Sequence, residues 1–213
     1  MPKTVDAPVE LHPLIDKIEA KMEDLFNAMK MRPEESRIIL GDSEYMLINL
    51  QSIAVDMKQQ LAELLDPNGV NLFMYRFGKT LGETAAKRLL PKLNLENVVE
   101  RVAAGPIFAG YAGFVRVKLL PSNITEDENF FLFYEHPNNF EATYWKEEIG
   151  KSDEPVCYFN AGYSAGWCSV ASGVPLDATE VLCEAKGDKS CRFIMYPTSK
   201  EAEYLENLEK YKE

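Results

Sequence analysis

The sequence has little histidine, two in 213 residues, and a shortage of positive charge: 23 Lys and Arg stand against 34 Asp and Glu. A net charge of −11 disfavours a nucleic-acid backbone as a direct partner, because that contact needs a cationic surface. No apolar run approaches the roughly 18 to 20 residues that span a bilayer, and the first charged residues are not followed by the apolar segment of a secretory signal. A cytoplasmic protein without a membrane anchor is expected. A glycine-rich dinucleotide fingerprint, a Gly-x-x-x-x-Gly-Lys-Ser/Thr loop and a basic reading helix are all lacking. Neither internal repeats nor low-complexity linkers occur. No catalytic residue is assigned, and enzymatic activity is not the expected role. Both histidines, His12 and His136, neighbour prolines and are expected at the surface rather than as ligands.

What is present suits a packed core: hydrophobic residues make up 46% of the chain and aromatic residues 11%. Residues 9–30 carry Leu11, Leu14, Ile15, Ile18, Met22, Leu25, Phe26 and Met29 at helical spacing. That stripe could serve this chain's own core or a dimer partner. Residues 37–41 read as a short strand. Ser43 is a candidate N-cap for a helix carrying Met46, Leu47, Leu50, Ile53, Ala54, Met57, Leu61, Leu64 and Leu65, broken at residues 66–69. A third helix over about residues 70–90 has Phe73, Phe77, Leu81, Ala85 and Leu89 at four-residue intervals. Gly78 and Gly82 beside them allow a close backbone approach, and Pro91 is expected to end it. Residues 95–103 suggest a fourth helix stopped by Gly105-Pro106.

The period then changes to two. Residues 114–119 and 130–134 read as a hairpin, and residues 140–145 as a further strand. Residues 157–172, small and aromatic, suggest a buried helix in which Gly162 and Gly166 permit tight packing. Residues 179–185 and 191–196 read as two strands, and residues 199–211 as a charged C-terminal helix.

All four cysteines fall between positions 157 and 191. In a reducing cytoplasm such a cluster reads as metal ligands or as small buried hydrophobes rather than disulfides. A turn centred on Gly187 would set Cys183 and Cys191 opposite each other across two strands. Glu180 lies an odd number of positions from Cys183, so it needs a bulge, or a place just ahead of the strand, to reach the same face. Cys157, at the start of the buried helix, could add a fourth ligand. Three thiolates and a carboxylate would close a tetrahedral, structural Zn²⁺ site. Cys168, about three helical turns and ~16 Å beyond Cys157, reads as core.

These residues carry a family resemblance. Glu154-Pro155-Val156-Cys157, Gly162-Tyr163-Ser164-Ala165-Gly166, Glu180, Cys183, Gly187-Asp188 and Cys191-Arg192-Phe193 resemble the vinyl-4-reductase domain. That domain occurs alone and in the sensor region of bacterial regulators of phenol and xylene catabolism. The Cys, Glu, Cys, Cys spacing of 23, 3 and 8 residues is similar to the zinc site of those sensors, which implies Zn²⁺ held by Cys157, Glu180, Cys183 and Cys191. Upstream, residues 37–40, the helix through Leu61, Gly78, Gly82 and Gly105-Pro106 resemble the rest of the module, so the likeness covers about residues 35–197. It implies an α/β (α+β) fold, a mixed, largely antiparallel sheet packed with helices as in trafficking-complex subunits, usually dimeric.

On this reading residues 1–34 form an N-terminal, dimerising helical segment, 35–197 the ligand-binding domain and 198–213 a C-terminal helix. The family pocket implies that a small hydrophobic or aromatic molecule meets Phe108, Ala109, Tyr111, Phe131, Phe133, Glu135, Tyr163 and Trp167. The histidine that contacts phenol in those sensors falls at Ala109, and their tryptophan near Tyr134 or Glu135. Both polar contacts are changed, which points away from phenol. The implied function is a stand-alone sensor or carrier, a homodimer passing its signal to a protein partner. Handling of a tetrapyrrole as a vinyl-reductase accessory, and a structural adaptor role, are the alternatives.

Overall fold

The first helix, α1 (His12–Asn27), buries Ile15, Ile18 and Met22 in a computed structural model that describes residues 2–212. It packs on α4 (Val98–Tyr111) of the same chain, so the apolar stripe is used internally. Burial of each such side chain stabilises the fold by about 1.5–3 kcal/mol. Ahead of α1, β1 (Val5–Asp6) is tied down by Glu19, whose carboxylate accepts from Lys3 N (2.8 Å), Thr4 N (2.8 Å) and Thr4 Oγ1 (2.6 Å).

Strands β2 (Lys30–Arg32), β3 (Arg37–Leu40) and β4 (Ser43–Tyr45) form a small antiparallel sheet. Ser43 is therefore not a helix cap: it pairs with Leu40 across a turn in which Gly41 takes φ +64°. Met46 and Leu47, expected on a helical stripe, are exposed. The helix starts near Leu50 and passes through a wide turn at Ser52–Asp56 into α2 (Met57–Ala62).

Helix α3 (Pro67–Leu93) is capped by Asp66, which accepts from Gly69 N at 2.7 Å, and ends at Asn94 in the left-handed region. Pro91 lies within its last turn, where the missing N–H removes a single bond, and does not end it. Its buried face carries Met74, Gly78, Gly82, Ala86 and Leu89, while Phe73 and Leu81 are exposed. The buried face is the one that carries the glycines, one position on from the Phe73 series, because only there can the facing backbone approach; Phe73 and Leu81 therefore turn outward. Helix α4 also runs through its expected stop at Gly105-Pro106. The proline disturbs the preceding turn, and Trp167 Nε1 donates to Arg101 O there at 3.0 Å.

The predicted hairpin forms from β5 (Val117–Leu119) and β6 (Leu132–His136). Residues 140–145, expected as a strand, belong instead to α5 (Phe140–Glu148), because Asn139 Oδ1 accepts from Glu141 N (3.0 Å) and caps a helix. Helix α6 (Tyr158–Ser172) and β8 (Cys191–Pro197) follow as expected, while β7 (Leu176–Leu182) begins and ends three residues earlier than the expected 179–185, residues 184–186 forming a tight helical turn instead. The main sheet has the order β1-β5-β6-β8-β7, with β1 parallel to β5 and the other pairs antiparallel. Helix α6 lies between this sheet and α3. A Cβ on Gly82 would stand 2.1 Å from Tyr163 O, and one on Gly166 2.0 Å from Lys79 O, so the two backbones touch as the sequence suggested. The C-terminal helix is shorter than expected, α7 (Glu201–Glu206) followed by a tight turn; Tyr204 and Tyr211 cover Phe131 on the outer sheet face. Among the described residues no helix is long and apolar enough to cross a membrane.

Candidate metal centre and ligand cavity

Cys183 directly follows β7 and Cys191 opens β8, so the strand pairing brings them to one end of the sheet. The ladder register slips between Glu180 and Leu182. This is the bulge that Glu180 needed to face the same way as the thiols. Cys157, just ahead of α6, comes down from above. One ligand atom from each of Cys157, Glu180, Cys183 and Cys191 lies within 4.8 Å of all the others. Cys157 Sγ and Cys191 Sγ are 3.6 Å apart, close to the roughly 3.8 Å edge of a tetrahedron with Zn–S bonds of about 2.3 Å.

The surroundings complete the site. Cys157 N donates to Glu180 Oε2 at 2.9 Å, Glu184 N to Cys191 Sγ at 3.4 Å, and Cys183 N to Asp188 Oδ2 at 2.8 Å. The other Glu180 oxygen, Oε1, is buried and receives no hydrogen bond among the described residues. A buried carboxylate oxygen without a donor is costly unless a cation takes that place. Hydrogen bonds from the Cys157 and Cys191 thiols push the Cys183 sulfur well below the ordinary thiol value. Burial pushes the Cys157 thiol and the Glu180 carboxyl well up. Four acidic groups in so small a buried volume cannot all ionise by themselves, and a divalent cation is what would let them. Cys168 stands apart from the cluster, its thiol pushed up to about 12 by burial.

Across the ladder from Cys191, its pairing partner His136 forms the end of a cavity of about 80 Å³ between the sheet, α1, α4 and α6. Most of its wall is apolar: Val5 from β1, Leu14 and Ile15 from α1, Val102 and Ala109 from α4, Val117 and Leu132 from the sheet. The polar lining is concentrated where β6 faces α6, with Tyr134 and His136 on one side and Asn160 and Ser164 on the other. The Tyr134 and Tyr163 hydroxyls are buried without a hydrogen-bond partner among the described residues. Burial pushes His136 down to about 3, so its ring is neutral.

Of the residues expected around a ligand, Ala109, Tyr163 and Trp167 line this cavity. Phe108 stacks behind Trp167 with ring centroids 5.9 Å apart, and Tyr111 packs on Phe26 at 5.2 Å. Phe131, Phe133 and Glu135 occupy the other face of β6. There the two phenylalanines meet Tyr211, and Glu135 pairs with Lys118 (3.0 Å) and Arg192 (2.9 Å). His136, expected at the surface, is 1% exposed. It alternates inward with Leu132 and Tyr134, a parity visible in the sequence once the inward face of β6 is known.

Residues 139–197, the segment from α5 to β8 that holds the whole cluster, match the vinyl-4-reductase domain family. Over that stretch the chain is similar to the vinyl-4-reductase domain. Residues 24–124, ahead of it, match a family described as activator of aromatic catabolism. The segment similar to the vinyl-4-reductase domain thus supplies the Cys157, Glu180, Cys183 and Cys191 cluster and α6, and the upstream segment supplies the α4 wall of the cavity.

Among curated proteins, the chain is similar to the phenol regulator MopR of Acinetobacter guillouiae, 29% identical over 182 residues, which are 84% of this chain and 32% of that protein. It is also similar to the transcriptional regulatory protein XylR of Pseudomonas putida, 28% identical over 194 residues, 89% of this chain and 33% of that one. The chain therefore spans about a third of the length of these relatives. In structure it resembles the phenol-responsive sensory domain of the transcription activator PoxR, solved with phenol: TM-score 0.76 at 20% identity, over 88% of this chain and 96% of the other. A trafficking protein particle complex subunit 3 from Naegleria fowleri, covalently bound to palmitic acid, gives TM-score 0.50 at 12% identity over 70% and 92%. These likenesses bear out the mixed α/β fold.

Proposed function

We propose that this chain is a sensor or carrier domain that binds one small, neutral, hydrophobic or aromatic molecule in the cavity between β6, α4 and α6, with Zn²⁺ at Cys157, Glu180, Cys183 and Cys191 as the brace of its polar end. The observation that carries this reading is the cavity itself: walled mostly by apolar side chains, polar at one end only, and reaching His136, the ladder partner of Cys191 in the cluster. Bound there, zinc would supply charge neutralisation and a fixed crosslink. Cys157 would hold the start of α6 to β7 and β8, and with it Asn160 and Ser164, which belong to the cavity wall.

Two similar proteins support an aromatic ligand by their descriptions, a phenol regulator and a sensory domain solved with phenol. Ala109 and Tyr134 in the wall argue for a ligand read differently from theirs. At about 80 Å³ the cavity is smaller than the ~150 Å³ that accepts benzene in an engineered core, so binding a ring requires α1 or α4 to give way. That movement is the means by which occupancy would be signalled, to a partner chain or another domain. The volume also weighs against a tetrapyrrole at this site. Four buried free thiols suit the reducing cytoplasm. A homodimer, with α1's apolar stripe used internally, would rest on other surfaces such as the exposed Met46 and Leu47.

Elemental analysis of the purified chain is expected to find one zinc per chain. Cys183→Ala and Cys191→Ala are expected to lose the metal and lower the unfolding midpoint, while Cys168→Ala keeps full metal content. Metal loss in Cys168→Ala, or full retention in Cys183→Ala, overturns the ligand assignment. Native mass spectrometry is expected to show a copurified or added small aromatic molecule at one per chain; no bound species with a panel of monocyclic aromatics removes the sensor reading.

A further inference from the structure

Behind the polar end of the cavity lies a buried network that neither the metal centre nor the apolar wall requires. Asn139, fully buried, accepts on Oδ1 from Glu141 N (3.0 Å) and from Asn160 Nδ2 (2.8 Å). Two donors on that oxygen fix the orientation of the amide. Its nitrogen therefore faces His136 Nδ1, 3.5 Å away. An amide nitrogen can only donate, so Nδ1 is the acceptor and the ring proton of a neutral His136 resides on Nε2. The Nε2–H has no acceptor among the described residues, and the imidazole lines the cavity.

Asn160 is oriented by the same network. Its Nδ2 also donates to Glu141 Oε2 (3.1 Å), and its backbone N donates to that oxygen at 2.8 Å. Glu141 is in turn anchored by Lys58 Nζ at 3.0 Å, and Lys58 donates to Val156 O at 2.5 Å, beside Cys157. Each of these buried side chains holds the next, and the chain of bonds ends on one free donor at the cavity.

We propose that His136 is a specificity-determining residue of the cavity, its Nε2–H donating to an acceptor oxygen or nitrogen on an otherwise apolar ligand, and that Asn139 is the positioning residue that fixes this tautomer. The inference rests on the cavity being a ligand site. It narrows the ligand class to neutral molecules with a hydrogen-bond acceptor on a small apolar body, such as an aryl nitrile, ether or carbonyl, and it disfavours plain hydrocarbons, which leave the donor unpaired.

Benzonitrile and ethynylbenzene, nearly identical in shape, separate the acceptor from the ring. Calorimetric titration of the purified full chain is expected to give benzonitrile at least tenfold tighter binding than ethynylbenzene. His136→Phe is expected to abolish that preference, so that whatever affinity remains is equal for the two probes. The bound nitrile stretch reports the hydrogen bond and should lose its shift in the variant. Equal affinity for the two probes, in wild type and His136→Phe alike, overturns the inference and leaves the cavity as a ligand site. Binding of neither probe sinks the cavity reading and this inference with it. A test needing no ligand and no variant is ¹⁵N NMR of histidine-labelled protein, simple with two histidines. Protonated Nε2 and bare Nδ1 on His136 support the proposal, and the opposite tautomer overturns it.

Discussion

Glu141 and Lys58 are both nearly or fully buried and form an ion pair at 3.0 Å. The carboxylate also receives the first backbone N–H groups of α6, from Phe159 (3.3 Å) and Asn160 (2.8 Å), so one side chain joins α5, α2 and the start of α6. Removing one member of a buried ion pair leaves the other charge without compensation, which costs about 3–5 kcal/mol. Glu141→Gln is accordingly expected to lower unfolding free energy by roughly 3 kcal/mol in urea titration. A combined Lys58→Met and Glu141→Leu variant should recover part of that loss while still weakening the cavity's polar end. A Glu141→Gln protein as stable as wild type would show that the pair does not carry this load.

Among the elements, the α3–α6 contact tolerates least change. Backbone carbonyls of each helix lie where a Cβ on the facing glycine would go, 2.1 Å for Gly82 against Tyr163 O. Neither partner is a flexible side-chain tip, so the helices themselves must separate. Gly82→Ala is expected to destabilise by about 1–3 kcal/mol, as overpacking does, and to lower the thermal midpoint, whereas the nearby solvent-facing Thr80→Ala should leave it unchanged. Because α6 also carries Tyr163, Ser164 and Trp167 of the cavity wall, the same substitution should weaken ligand binding. The elements that the sequence misassigned failed for local reasons: Ser43 and Asn139 are both cap residues by composition, and only strand pairing at Ser43 and helix formation after Asn139 distinguished them.

At the scale of the whole molecule, the N-terminal segment is the part of the cavity wall most easily released. Val5, Leu11, Leu14 and Ile15 line the cavity, and Glu19 holds β1 in place. Burial pushes the Glu19 carboxyl up, but hydrogen bonds from Thr4 and Lys3 outweigh it and leave the group below its ordinary value of 4.5. The unfolded chain therefore binds the proton first as pH falls. The stabilisation is complete above about pH 4.5 and is lost as pH drops below it through the folded-state value. Hydrogen exchange is expected to show residues 3–6 losing protection in that range ahead of α3 and α6, and Glu19→Gln should show the same loss at neutral pH. Protection of residues 3–6 that persists unchanged to acid unfolding would show that Glu19 is not the clasp.

The sequence by itself pointed to the cluster of Cys157, Glu180, Cys183 and Cys191 that the fold brings together, because the turn at Gly187 leaves little freedom in how Cys183 and Cys191 meet. It also determined the close helix pair, since glycines one turn apart on two helices leave backbone exposed to backbone. The inward face of β6 was settled only by the tertiary structure. Residues 130–134 are aromatic on both faces, so alternation gives no preference, and the choice depends on which face meets α4 and α6 and which is covered by Tyr204 and Tyr211. Phe131, Phe133 and Glu135 turned outward for that reason, and Tyr134 and His136 turned in. The buried network that ends on His136 begins with Lys58 bonded to Val156, 98 positions away, and no local spacing rule relates such residues. Long-range packing alone makes a histidine beside a proline the polar end of a cavity.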